Sequence, residues 1–216
     1  MQIAIDGPAG SGKGTVAKLI ADKFNLVYVD TGATYRALSL KALRNNIKIS
    51  DKEALIELSK NIDIKLTSDG KTYLDGEDVS IEIRSKEVTE IVSPVSSIPE
   101  VRENLVKIQR SIASTNDAIM EGRDITTVVL PDADIKIYLD ASVEERANRR
   151  YKECLEKNIP MTYEEVIENI KARDYNDMHK EVGSLMRTNE QIYIDTTNLT
   201  IDEVVDKISN IIKSRR

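Results

Sequence analysis

The sequence contains one cysteine, Cys154, one histidine, His179, one phenylalanine and no tryptophan. A single thiol excludes an intramolecular disulfide, and a free cysteine suits a reducing cytoplasm. One histidine leaves neither a Ser-His-Asp triad nor a His/Cys zinc site the clustered partners it needs. Aromatic residues make up only 4% of the chain, so ligand recognition falls to hydrogen bonds more than to stacking. No apolar stretch approaches the ~20 residues of a membrane span. The opening "MQIAID" lacks the basic region and the apolar length of a secretion signal. Lys and Arg number 31 against 37 Asp and Glu, a net charge of −6. That balance argues against a broad nucleic-acid-binding face, which works by neutralising phosphates. A cationic site must be local and built from particular arginines. Internal repeats and low-complexity tracts are missing too.

What is present is enough chain, 216 residues, for a single domain with a full core over residues 1–216. Five short apolar runs have β character: "QIAID" (2–6), "LVYVD" (26–30), "AIMEG" (118–122), "IKIYLD" (135–140) and "IYIDT" (192–196). Helical patterns lie between them. One, 14–24, puts Val16, Leu19, Ile20 and Phe24 at helical spacing, and another, 101–113, does so with Val101, Leu105, Ile108 and Ile112. Strand–helix alternation predicts an α/β fold with a mostly parallel sheet, covered on both faces. Two segments break the alternation. Residues 62–80 carry "DG" turns at 69–70 and 75–76 and predict a small antiparallel insert. Residues 149–174 predict two charged helices joined at "NIPMT", with Thr162 and Glu165 forming a capping box. Thr200 and Glu203 have the same pattern before the last helix.

The stretch "IDGPAGSGKGT" is a strand, a glycine-rich loop and a helix start. Gly7, Gly12 and Lys13 occupy the fixed positions of the phosphate-binding P-loop. Pro8, Ala9, Gly10 and Ser11 form the cradle between them, and backbone N–H groups at the helix start face the anion. The P-loop pattern wants Ser or Thr after the lysine, to touch Mg²⁺. Here that residue is Gly14, and the hydroxyl comes one later, on Thr15. Mg²⁺ is therefore expected on nucleotide phosphates and waters, helped by a strand-end carboxylate among Asp6, Asp30 and Asp140. The guanine-reading N-K-x-D sequence is absent, which argues against a GTP switch. Arg36 and Arg123 follow two other strand ends, where doubly wound sheets place ligands. Arginines there suit a second phosphate facing the P-loop. A phosphotransferase needs that second site, whereas a protein using ATP only as a conformational signal does not.

Together, "DGPAGSGKGT", "DTGATYR", "IPEVRENL", "EGRDITTVVLPDADIKIYLDAS", "ERANRR" and "KARDYND" resemble, in order and over essentially the whole chain, the bacterial cytidylate kinase family. The resemblance implies a five-stranded parallel sheet flanked by helices. It also implies a nucleotide-binding insert near 62–85 and a short helical lid near 149–173. It implies phosphoryl transfer from ATP, with Mg²⁺, to CMP or dCMP. By the same resemblance, Arg36, Arg123 and Arg173 hold the acceptor phosphate and Tyr35 walls the nucleotide. Ser93, Arg102 and Asp124 read cytosine with Thr31 close by, and Asp177 contacts the ribose. Arg149 and Arg150 close over the ATP phosphates, with Arg146 in support. The sequence departs from the family at Lys180, where an arginine is usual, and at "EVGSL", which lacks the usual proline. The expected protein is a cytoplasmic monomer whose partners are small nucleotides, with no nucleic acid and no membrane. Kinases for UMP, another nucleotide or shikimate are the alternatives.

Overall fold

The computed structural model describes residues 1–67, 70–114 and 116–215. The five apolar runs form β1 (Gln2–Asp6), β2 (Val27–Asp30), β6 (Ala118–Gly122), β7 (Ile135–Asp140) and β8 (Ile192–Asp195). They make one parallel sheet in the order β2-β6-β1-β7-β8. The helices are α1 (Lys13–Phe24), α2 (Thr31–Arg44), α3 (Lys52–Lys60), α4 (Lys86–Val95), α5 (Pro99–Ser114), α6 (Val143–Glu156), α7 (Tyr163–Met178) and α8 (Ile201–Arg215). Strand β1 lies between β6 and β7, so the chain leaves the sheet centre in both directions. The crevice this opens at the strands' C-terminal ends is where such sheets bind ligands. No helix among the described residues is long and apolar enough to cross a membrane.

Alternation along the central strands feeds two cores. Ile3, Ile5, Ile119, Ile137 and Leu139 pack against α1 and α8, while Ala4, Val29, Ala118 and Met120 face the other way. On α1 the expected face is corrected at one position: Leu19 is 41% exposed. The buried stripe is Val16, Ala17, Ile20 and Ala21, with Phe24 at its end. At ~100° per residue Leu19 lies about 130° from the centre of that stripe. The small alanines recentre it by letting the helix approach its neighbours closely.

The insert is antiparallel, β3 (Ile64–Leu66), β4 (Thr72–Leu74) and β5 (Glu77–Asp78). Asp75 and Gly76 turn the second hairpin with φ of 50° and 86°, the two positive values a type I′ turn needs. The predicted turn at 69–70 lies partly outside the described residues. Arg44 pairs with Glu77 and Glu82, fastening the insert to α2. The charged hairpin forms as α6 and α7, around Ala147, Cys154, Val166 and Ile170. The capping box is complete, with Glu165 N donating to Thr162 Oγ1 (3.2 Å) and Thr162 N to Glu165 Oε2 (2.7 Å). Thr200 and Glu203 repeat it before α8.

Candidate active site

Strand β1 runs into the P-loop, and Gly12 caps α1 with φ 89°, a conformation that favours glycine. Lys13 is 5% exposed and donates from Nζ to Pro8 O at 2.8 Å. Burial, and then the neighbouring Arg123, lower its pKa to about 7. A buried ammonium this uncomfortable calls for an anion. The Ser11 hydroxyl, also in the loop, is buried with no hydrogen-bond partner.

Facing the loop is a concentration of arginine. Among the described residues Arg36 on α2 donates to two neutral acceptors, Thr89 Oγ1 (3.0 Å) and Ile83 O (3.4 Å), and is in no ion pair. Arg173 on α7 is in no ion pair among the described residues. Its pKa is lowered to about 10 by burial and by the charge of Arg123. Arg36 is likewise lowered, by burial and then by Arg84, Arg123 and Arg150, against the pull of Asp30. Arg123 is anchored, Nε donating to Asp177 Oδ2 at 2.7 Å. Burial lowers the Arg123 pKa, but Asp177, Glu121 and Asp174 together outweigh it and the guanidinium is raised. Like charges held together at a cost in desolvation raise the local positive potential, which suits an anion.

Beside the arginines sits a buried pair, Arg102 with Asp124, each side chain 5% exposed. Arg102 donates to Ser96 O (3.0 Å) and lies 5.1 Å over the Tyr35 ring, while its Nε has no partner. Asp124 is positioned by an unusual π-helical turn, Ile125–Val129. Asp6 holds that turn, accepting from Ile125 N (2.7 Å), Thr126 N (2.9 Å) and Thr126 Oγ1 (2.6 Å). Ser93 is half-buried nearby, its carbonyl accepting from Ser96 and Ser97. Thr31 is fixed to the sheet, donating from Oγ1 to Glu121 O at 2.8 Å. Asp177 also meets Lys180 (3.1 Å), whose Nζ reaches Ser96 Oγ at 3.4 Å.

The carboxylates expected near Mg²⁺ are otherwise engaged. Asp6 spends both oxygens on the π turn. Asp30 caps α2 through Ala33 N (3.1 Å) and pairs with Arg84 (3.3 Å). Asp140 accepts from Ala141 N (2.9 Å) and Tyr193 Oη (3.3 Å). The sequence reading missed Glu121. It is the penultimate residue of β6, and its Oε1 and the Tyr28 hydroxyl each lie 3.4 Å from where a Cβ on Gly14 would stand. Burial and nearby Asp30 raise the Glu121 pKa, against the pull of Lys13. The acid thus stands beside Gly14, at ordinary contact distance from a Cβ there. Its place at a strand end, one residue before "GRD", was the available signal. Among the described residues no group of three His, Cys, Asp or Glu could hold a metal alone.

On α6, Arg149 donates to Thr196 O (2.9 Å) and Glu145 (2.9 Å), with Nη1 3.9 Å from a Cβ built at Gly12. Arg150 is half-exposed on Glu153. Arg146 is not a free phosphate ligand. It is 3% exposed and donates to Ala9 O (3.2 Å), Ala141 O (2.9 Å) and, twice, to Asp174.

The cytidylate kinase family model matches residues 3–214. A cytidylate kinase of Fusobacterium nucleatum is 51% identical over 98% of this chain and 96% of its own. One from Caldanaerobacter subterraneus is 51% identical over 99% and 95%. A crystal structure of shikimate kinase from Bacteroides thetaiotaomicron covers 99% of this chain and 98% of its own with TM-score 0.50 and 10% identity, a likeness of fold alone. A parallel sheet with a P-loop at its switch point, a cluster of arginines beside it and this extent of identity agree, and the chain belongs to the cytidylate kinase family.

Proposed function

We propose that the protein transfers the γ-phosphoryl group of ATP to CMP or dCMP, giving ADP and CDP or dCDP. The observation that carries this is the arginine cluster near Lys13, in which Arg36 and Arg173 are in no ion pair among the described residues. The P-loop from Gly7 to Thr15, with Lys13, holds the ATP phosphates. Arg36, Arg123 and Arg173 hold the acceptor phosphate in line. Arg149 and Arg150 approach from the lid and exclude water. The acceptor oxygen is already anionic, so no general base is needed, and catalysis is positioning plus charge stabilisation. Mg²⁺ bound with ATP neutralises phosphate charge. Thr15, exposed at the loop, and Glu121 are the residues whose oxygens suit the ion's water shell.

Cytosine presents an N4 amino donor beside the N3 and O2 acceptors. Asp124 accepts from the amino group and Arg102 donates to an acceptor, while Ser93 and Tyr35 complete the base site. Uracil puts an acceptor against Asp124. A mispaired buried polar group costs about 1–3 kcal/mol, tenfold or more in selectivity. The test is ADP release with Mg·ATP and a panel of CMP, dCMP, UMP, AMP, GMP and shikimate. Turnover confined to CMP and dCMP is expected. Preference for another acceptor discards the roles of Asp124 and Arg102. ATP binding with no acceptor turned over leaves a nucleotide switch.

Lys180 supplies one charge, already shared with Asp177, where the planar arginine fork would supply two parallel donors. Lys180→Arg is expected to lower the KM for CMP severalfold with little change for ATP. An unchanged KM removes Lys180 from the substrate contacts.

A further inference from the structure

The segment after α7 turns back over the base site. Leu185 N donates to Asp177 O at 2.7 Å, and Leu185 is 4% exposed, anchoring the turn. At its apex Gly183 has φ 68°. A Cβ there would lie 2.5 Å from Arg102 Cζ and closer still to Arg102 Nη2 and Asp124 Oδ2. The Gly183 backbone therefore rests on the ion pair itself. Arg102 lies against this glycine and over the Tyr35 ring, and little of either charged side chain meets solvent. Yet the Nε of Arg102 is buried without a partner, so the covered pocket is not satisfied by the protein alone.

Groups that must hydrogen-bond an incoming base cannot do so while sealed. We propose that residues 181–185 form a gate on the nucleoside site and that Gly183 sets its closed position, so CMP engages Arg102 and Asp124 only after Gly183 lifts away. This rests on the cytosine reading above. The closed gate lowers the apparent affinity for CMP by the fraction of molecules that are open. Any side chain at 183 penalises the closed position twice, through overlap with the pair and through a positive φ that L residues avoid.

The test is CMP binding by titration calorimetry to the full-length enzyme and to Gly183→Ala. The variant is expected to bind CMP about 3–10-fold more tightly, with its KM for ATP unchanged, because the closed state is lost and the open one is not. Equal or weaker CMP binding overturns the gate, the weaker result making Gly183 a wall of the productive site. Should the variant fail to fold, hydrogen exchange on the wild-type protein decides. With saturating CMP the Leu185 amide is expected to exchange faster, and equal or slower exchange overturns the gate. If the wild-type protein binds no CMP at all, the cytosine reading fails, and the gate with it. If it binds CMP but Gly183→Ala binds no tighter, only the gate fails.

Discussion

Lys13→Ala lowers kcat by about 10²–10³-fold, the scale for removing one preorganised charge from developing phosphoryl charge. The fold places this ammonium at the start of α1, past the loop that follows the central strand, buried, with Arg123 and Arg173 as like-charged neighbours. Its pKa of about 7 has a consequence for binding. Above pH 7 the free enzyme holds Lys13 largely neutral, while polyphosphate favours the charged form. ATP binding then takes up a proton, and affinity falls as pH rises above about 7 until the pKa of the complex is passed. Calorimetry at pH 8 in buffers of different ionisation enthalpy should show this uptake in the wild type and its loss in Lys13→Ala. Near-normal turnover of the variant overturns the assignment of Lys13. Proton uptake that survives the substitution assigns the titration to another group.

Features carried by neighbouring residues were legible in the sequence. The P-loop needs only its own glycines and lysine. Each capping box needs two residues three apart, and the Asp75–Gly76 turn needs two in a row. The strands were legible because a sheet buried on both faces demands near-continuous apolar runs. What escaped depends on distant contacts. Asp6 reads as a strand-end acid open to a metal, until the turn at Ile125–Val129 consumes both its oxygens. Glu121 gains its place beside Gly14 only when β6 lies next to β1. Leu19 fits helical spacing but is displaced by smaller alanines whose value is close approach. Arg146 reads as one more lid cation, and only the folded chain shows every bond it makes.

Those bonds make Arg146 the join between the α6–α7 hairpin and the P-loop. Its guanidinium grips Asp174 in a fork, at 3.0 and 2.6 Å, with side-chain exposures of 4% and 12%. The pair ties α6 to α7, and the same guanidinium holds Ala9 O of the phosphate loop. Asp174→Ala leaves a buried cation uncompensated, and removing one partner of such a pair costs about 3–5 kcal/mol. For a chain of this size that lowers Tm by roughly 6–20 °C. Urea or thermal unfolding measures it, and a loss under about 1 kcal/mol means that water or another group takes over the charge. Arg146→Met combined with Asp174→Leu removes both charges together and is expected to recover much of the stability, since a buried ion pair is often no better than an apolar one. It does not restore the donor to Ala9 O. The double variant therefore regains its fold while keeping a raised KM for ATP, which separates the join's contribution to stability from its hold on the P-loop.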